Sequence, residues 1–120
     1  MAMFLARQGE GLQSIRERIQ DRFGYDLNRS VEQCREEHIY NEFCQICVPD
    51  SIVCALDSRS YEDAVRNAVS LGGDADTLGA ITGSIAEAMH GIPDDLIEEA
   101  QSFLDASFKP IIEEFYTRVG

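Results

Sequence analysis

The chain has 120 residues, which is enough for one small domain. Its 22 acidic and 10 basic side chains give a net charge of −12, and such a surface repels phosphate backbones, which argues against nucleic-acid binding. Apolar residues make up 44% but occur in short runs, and the first residues, MAMFLA, do not read as a signal peptide, so the sequence predicts a globular cytoplasmic protein that does not enter a membrane.

The first quarter of the chain contains one clear helical pattern. Residues 1–11 carry little periodic signal and include two glycines, so they are expected to form a frayed terminus. From Leu12 onward, apolar residues recur at the spacing of one helix face. Gly24 is predicted to end that helix.

The next stretch gives a weaker signal. Ser30 followed by Gln33 forms a capping-box pattern, which predicts a short helix from Val31. Residues 36–48 mix polar and apolar side chains without a helical or strand period, and they are predicted to form a loop.

Four cysteines fall in and around this stretch, and two of them form a C-x-x-C pair. Such a pair can be half of a zinc or redox site, with another cysteine and His38 as further ligands. No second pair follows at the spacing of a zinc knuckle, so free, reduced and buried thiols are the preferred interpretation. His38 and His90 have no visible catalytic partner and are predicted to be structural or surface residues. The cysteines are Cys34, Cys44, Cys47 and Cys54.

Two further helices are predicted before residue 74. Pro49 and Asp50 suit the first turn of a helix, because proline has no N–H to lose there and the carboxylate favours the helix dipole. Ser60 is a suitable N-cap for the next helix. Gly72-Gly73 is predicted to end it, since glycine adopts the left-handed conformation at little cost.

The last third of the chain predicts three more helices. The first starts at Asp76 or Thr77, ends at His90, and contains two glycines that cost it about 1 kcal/mol each, which indicates close approach of another helix or a ligand. Asp94 and Asp95 favour the start of the second, whose apolar stripe runs to Phe108, and Pro110 opens the third. No strand pattern and no repeat appears, so the predicted architecture is an all-α bundle of five or six helices.

The turn between residues 72 and 77 gathers the most polar groups of any turn in the chain. Asp74, Asp76 and Thr77 can converge on one point, and such oxygen ligands suit Mg²⁺ or Ca²⁺. Gly72 and Gly73 let backbone amides approach a bound substrate. The spacing alone is equally compatible with an ordinary helix cap.

Two known acidic motifs do not fit this turn. An EF-hand loop beginning at Asp74 would place Leu78 and Ile85 at its fifth and last positions, and neither side chain can ligate Ca²⁺. An aspartate phosphotransferase of the D-x-D-x-T/V type needs an apolar strand before Asp74 and a threonine or valine in place of Leu78, whereas glycines and leucine stand there.

Residues 72–91, GGDADTLGAITGSIAEAMHG, strongly resemble the C-terminal signature of the ADP-ribosylglycohydrolase family, and the resemblance extends over about residues 12–110. It implies an all-helical fold with a two-metal Mg²⁺ site that hydrolyses glycosidic bonds of ADP-ribose attached to proteins, or of related nucleotide ribosides. It also implies that Asp74, Asp76 and Thr77 ligate metal. No residue is assigned as catalytic.

The sequence departs from the family pattern in one large respect. Full members are longer and carry a T/S-D-D metal-binding motif in an N-terminal half, whereas the nearest match here is Pro93-Asp94-Asp95, on the wrong side of the signature. We therefore expect a single partial domain over residues 1–120 that resembles the C-terminal part of the family fold. The isolated chain is expected to be weakly active or inactive, and a partner would provide the missing half.

A different class of function remains open. A helical fragment of a larger bundle can act as a non-catalytic interaction module, or be the remnant of a truncated gene. It would leave an apolar face uncovered, and the stripe over Ile111–Val119 is a candidate for self-association. Otherwise the expected partner is an ADP-ribosylated substrate or an ADP-ribose-like ligand.

Overall fold

The computed structural model describes residues 1–38 and 43–119. Over these residues the chain is entirely helical and contains no strand, so the predicted all-α class is confirmed. None of the described helices is both long and apolar enough to cross a membrane.

The described residues form eight α-helices and one 3₁₀ turn, more than the five or six helices predicted, because several are only six to nine residues long. The helices are α1 (Ala2–Arg7), α2 (Leu12–Phe23), α3 (Val31–Glu37), α4 (Cys44–Leu56), α5 (Tyr61–Ser70), α6 (Ala75–His90), α7 (Asp94–Ser102), the 3₁₀ turn (Ala106–Phe108) and α8 (Lys109–Val119).

Helix α6 lies at the centre and packs against α1, α4 and α5. Its buried Thr82 hydroxyl donates to the Ser51 carbonyl of α4 at 3.1 Å. A Cβ added to Gly83 would lie 3.2 Å from the Tyr61 hydroxyl of α5, so the predicted close approach of another helix is confirmed there. At Gly79 a Cβ would meet none of the described atoms within 4 Å, so packing does not demand that second glycine.

The N-terminus is ordered, and the prediction of a frayed terminus is wrong for residues 2–7. Ala2 and Leu5 are 8% and 2% exposed, and their helix packs on α6. A six-residue helix is too short to show a periodic pattern, so its order comes from burial of these two side chains. Gly9, with φ of 77°, turns the chain into α2.

The predicted loop over residues 36–48 is also wrong where the structure describes it. Helix α3 continues to Glu37, and α4 begins at Cys44 rather than at Pro49. Residues 39–42 lie outside the described part. Pro49 is therefore inside α4, where its missing N–H leaves the Gln45 carbonyl without the usual helical bond. Burial of nine of the thirteen residues of α4 offsets that loss.

Local capping signals were the most reliable predictors of helix ends. Ser30 accepts a hydrogen bond from the Gln33 amide at 3.2 Å, and the complete capping box is present. Ser60 accepts from the Asp63 amide at 3.1 Å. Gly24 ends α2 in the left-handed conformation with φ of 71°.

The C-terminal helices are peripheral. Helix α7 ends at Ser102, so the predicted helix reaching Phe108 is interrupted, and α8 begins at Lys109. None of the residues of α7 or α8 that the structure describes is buried. Together with α5 they border an open apolar groove of 760 Å³.

Candidate functional site

The candidate site is the turn that joins α5 to α6. Leu71 is buried at the end of α5, and Gly72 follows with φ of 76°, a conformation that L side chains rarely adopt. Asp74 is the N-cap residue of α6, which begins at Ala75, one residue before the predicted start. The two glycines thus reverse the chain and place the acidic residues at the N-terminus of the central helix.

The structure brings the three predicted metal ligands together. The side chains of Asp76 and Thr77 lie next to the Asp74 carboxyl in the first turn of α6 and lower the pKa of Asp74 below its ordinary value. The Thr77 amide also donates to Oδ1 of Asp76 at 3.0 Å. Asp76 and Thr77 are exposed, so the oxygens face solvent.

The Asp74 carboxyl lies near the Thr77 amide but makes no capping hydrogen bond of ordinary geometry. Ser30 and Ser60 both accept a hydrogen bond from the amide three residues later, whereas Asp74, at the equivalent position of α6, makes no side-chain capping bond. The Asp76 and Thr77 side chains contribute more than the Thr77 amide to the lowered pKa of Asp74. When both carboxyls are ionised they repel each other, and a bound cation relieves that repulsion.

The ligand atoms of this turn are of the type that a hard cation prefers, but they are too few to fill its coordination shell. Two carboxylates and one hydroxyl are the oxygen ligands that Mg²⁺ and Ca²⁺ take, but six or more oxygens complete such a shell. Among the described residues no group of three or more His, Cys, Asp or Glu side chains could hold a metal ion. The turn therefore offers one side of a cation site, and the remaining ligands must be waters, substrate or another polypeptide.

Gly73 lies against a buried histidine that the sequence did not single out for this position. A Cβ at Gly73 would lie 2.9 Å from Cδ2 of His38 and closer still to Nε2, so the ring occupies the space of a side chain. No residue other than glycine fits here without displacing the ring. The prediction that Gly72 and Gly73 bring backbone amides to a substrate stays a prediction.

His38 belongs to a buried ionic cluster next to the turn. Its Nδ1 lies 2.8 Å from Oδ2 of Asp50, and their side chains are 1% and 3% exposed. Oδ1 of Asp50 accepts from Nη2 of Arg29 at 2.7 Å, and Arg29 also lies 3.5 Å from the Glu37 carboxylate. The sequence interpretation of His38 as structural is thus correct, but its contact with the glycine turn was not foreseen.

One sequence signal could have revealed this cluster. Residues 46–56 of α4 contain no charged side chain except Asp50, which is 2% exposed. A single carboxylate among apolar residues must have a cationic or hydrogen-bonding partner when its helix is buried. The partners, Arg29 and His38, lie just before and just after α3, so periodicity within one helix could not identify them.

The cysteines and His90 lie in surroundings that indicate a structural role. Three of the four cysteines are buried as predicted, whereas Cys44 is exposed at the start of α4. Burial, helped by the Asp50 carboxylate, raises the pKa of Cys34 to about 11, so this thiol is not a nucleophile at neutral pH. Nε2 of His90 lies 3.0 Å from Oγ of Ser58, which ties the end of α6 to the α4–α5 connection.

Comparison with known proteins matches the chain to one protein family. No curated protein and no solved structure gives a significant match. The family model for ADP-ribosylglycohydrolase matches residues 2–119, so the match extends beyond the resemblance expected over about residues 12–110 and includes α1 and α8. Because that model covers nearly the whole chain, the protein belongs to the ADP-ribosylglycohydrolase family.

Proposed function

We propose that this chain takes part in Mg²⁺-dependent hydrolysis of a glycosidic bond to ADP-ribose, and that it provides one half of the metal site. Membership of the family indicates an ADP-ribosylglycohydrolase-like function and ADP-ribosylated substrates, and the family is generally metal-dependent. The observation that supports Mg²⁺ here is the convergence of Asp74, Asp76 and Thr77 at the exposed N-terminus of α6.

Each residue of the turn has a separate role in this proposal. The carboxylates of Asp74 and Asp76 and the hydroxyl of Thr77 would hold Mg²⁺. The chemistry that a pair of such ions supplies is charge stabilisation at the ribose and a lowered pKa for a bound water. Gly72 has no described atom within 4 Å of the place of a Cβ and would leave the backbone open to the substrate, whereas the His38 ring lies against Gly73. The positive end of the α6 dipole favours the anionic phosphates of the substrate.

The other half of the site would come from outside these 120 residues. The chain contains no T-D-D or S-D-D sequence, and its one Asp-Asp pair, Asp94-Asp95, begins α7. Helix α6 separates that pair from Asp74 by 16 residues, or about 24 Å. The pair is therefore too remote to complete the shell, and a partner polypeptide with an acidic motif would do so.

Binding and turnover measured together test this proposal. ADP-ribose binding by calorimetry should strengthen when Mg²⁺ is added, and Asp74→Asn should remove that dependence. Release of ADP-ribose from a modified protein should be slow with the chain alone. Turnover equal to that of a full-length family member would contradict the proposal that this chain provides only half of the metal site. ADP-ribose binding that does not change when Mg²⁺ is added would contradict the role of the metal.

The second candidate function is self-association through the C-terminal helices. Four large apolar side chains in this region are 51–82% exposed, a surface that soluble monomers seldom leave uncovered. The groove they border lies between α5, α7 and α8, near the end of α6 that is remote from the glycine turn. A second copy on this face would therefore leave the metal site open. The side chains are Phe103, Phe108, Ile111 and Phe115.

Sedimentation equilibrium distinguishes this second candidate. The wild-type chain should form a dimer at high concentration, and Phe115→Glu should keep it monomeric. Phe4→Glu is the matched control, because Phe4 is 64% exposed but lies on α1, away from the groove. A wild-type monomer at all concentrations would exclude self-association through this face.

A further inference from the structure

The buried ring of His38 ends against the glycine turn with one nitrogen unused. Nε2 is inaccessible to solvent and has no hydrogen-bond partner in the part of the chain that the structure describes. A Cβ at Gly73 would collide with this nitrogen, so the missing Cβ leaves the space that the ring fills. A buried polar atom without a partner destabilises the fold, so its position needs a reason.

The opposite side of the ring is held firmly. Nδ1 of His38 donates to Oδ2 of Asp50, whose second oxygen accepts from Arg29. A carboxylate oxygen can only accept a hydrogen bond, so Nδ1 is the donor in this contact. The ring orientation is therefore fixed from α4, and the ring contacts the turn as a rigid support.

We propose that His38 is a positioning residue that fixes Gly73 and thereby the placement of Asp74 at the start of α6. Asp74 follows Gly73 directly, and its carbonyl accepts the hydrogen bond of the Leu78 amide at 2.9 Å, the first bond of the helix. A displacement of Gly73 therefore moves both the carboxylate and the helix start. The chain Arg29–Asp50–His38–Gly73 links the buried charge of α4 to the exposed oxygens of the turn.

A matched pair of substitutions tests this role. His38→Asn retains an N–H at the place of Nδ1, and so the bond to Asp50, but removes the part of the ring that contacts Gly73. Gly73→Ala disturbs the same contact from the other side. Each change alone should weaken Mg²⁺ binding about tenfold by calorimetry, because either one displaces Gly73 and with it the Asp74 carboxylate. The two residues are in contact, so their effects should not add, and the double variant should bind at least about fivefold better than the product of the two losses predicts. Additive losses would overturn the proposal.

The metal readout rests on the proposed function, so a second readout needs no metal. Hydrogen exchange of the Leu78 amide, followed by NMR, should be about tenfold faster in His38→Asn than in wild type. The amide of Ile19 in α2, whose helix has no part in the turn, should change little. Failure of wild type to bind Mg²⁺ would overturn only the metal site. Unchanged exchange at Leu78 would overturn the positioning role of His38.

Discussion

Nδ1 of His38 and Oδ2 of Asp50 lie 2.8 Å apart with both side chains almost fully buried, and this pair supports the turn that carries the candidate ligands. Asp50 sits in the middle of α4, the most deeply buried helix by the number of its core residues. The site thus has two layers. Exposed oxygens of α6 face solvent, and a buried ionic cluster behind Gly73 holds their backbone in place.

Substitution of Asp50 should be far more damaging than substitution of a surface carboxylate. Asp50→Ala leaves Arg29 and His38 without their buried acceptor, and breaking such a pair typically costs about 3–5 kcal/mol. Glu62→Gln removes an exposed pair with Arg66 and should cost less than about 1 kcal/mol. Urea unfolding of both variants measures the difference. Equal losses would show that the Asp50 cluster contributes no more than a surface pair.

Helix α1 should contribute substantially to stability despite its short length. Leu5→Ala removes a side chain that is 2% exposed against α6, and comparable core truncations cost about 2–5 kcal/mol. Phe4→Ala, one residue earlier on the exposed face, should cost under about 0.5 kcal/mol. Thermal unfolding measured on the two neighbours decides whether α1 is part of the core. If Leu5→Ala is as mild as Phe4→Ala, the N-terminus is dispensable.

Stability should fall as pH rises above about 9. Burial raises the pKa of Cys34 to about 11 and that of Cys54 to about 12, whereas thiols in an unfolded chain ionise near 8.5. Between these values the unfolded chain releases protons that the folded chain keeps, so unfolding becomes easier. Below pH 8 both states keep them, and these thiols add no pH dependence.

Urea midpoints between pH 7 and 10.5 measure this effect. Cys54→Ala should reduce the decline at high pH, because it removes one of the two thiols, Cys34 and Cys54, whose pKa burial raises. Cys44→Ala is the control, since Cys44 is exposed and should leave the slope unchanged. A wild-type midpoint that stays level up to pH 10.5 would show that these thiols ionise equally in both states.

Signals confined to one turn predicted the structure well, and signals that depend on tertiary contacts did not. The Ser30 capping box and the Gly24 helix end are local, since their hydrogen bonds join residues three or four apart, and both were predicted correctly. Helix α4 was predicted to start at Pro49 because proline prefers the first turn of a helix. The helix instead begins at Cys44, and its buried residues, which begin at Cys47, pack against α5 and α6 in contacts that no local pattern reports.

The same distinction between local and tertiary signals applies to the candidate site. Asp74, Asp76 and Thr77 are close in sequence, so a short motif and a family resemblance were enough to predict that they converge. The support behind them joins residues far apart in sequence, with His38 and Gly73 separated by 35 positions. Only the packing of α3, α4 and α6 brings these residues together.

The proposal that the turn at the start of α6 binds Mg²⁺ can be tested by calorimetric titration of the chain with this ion. Wild type should show saturable Mg²⁺ binding, and Asp76→Asn should weaken it at least about tenfold, because a carboxylate ligand and its charge are lost. Asp95→Asn, an exposed acidic residue in the first turn of α7, should bind like wild type. Identical heats for wild type and Asp76→Asn would contradict the account.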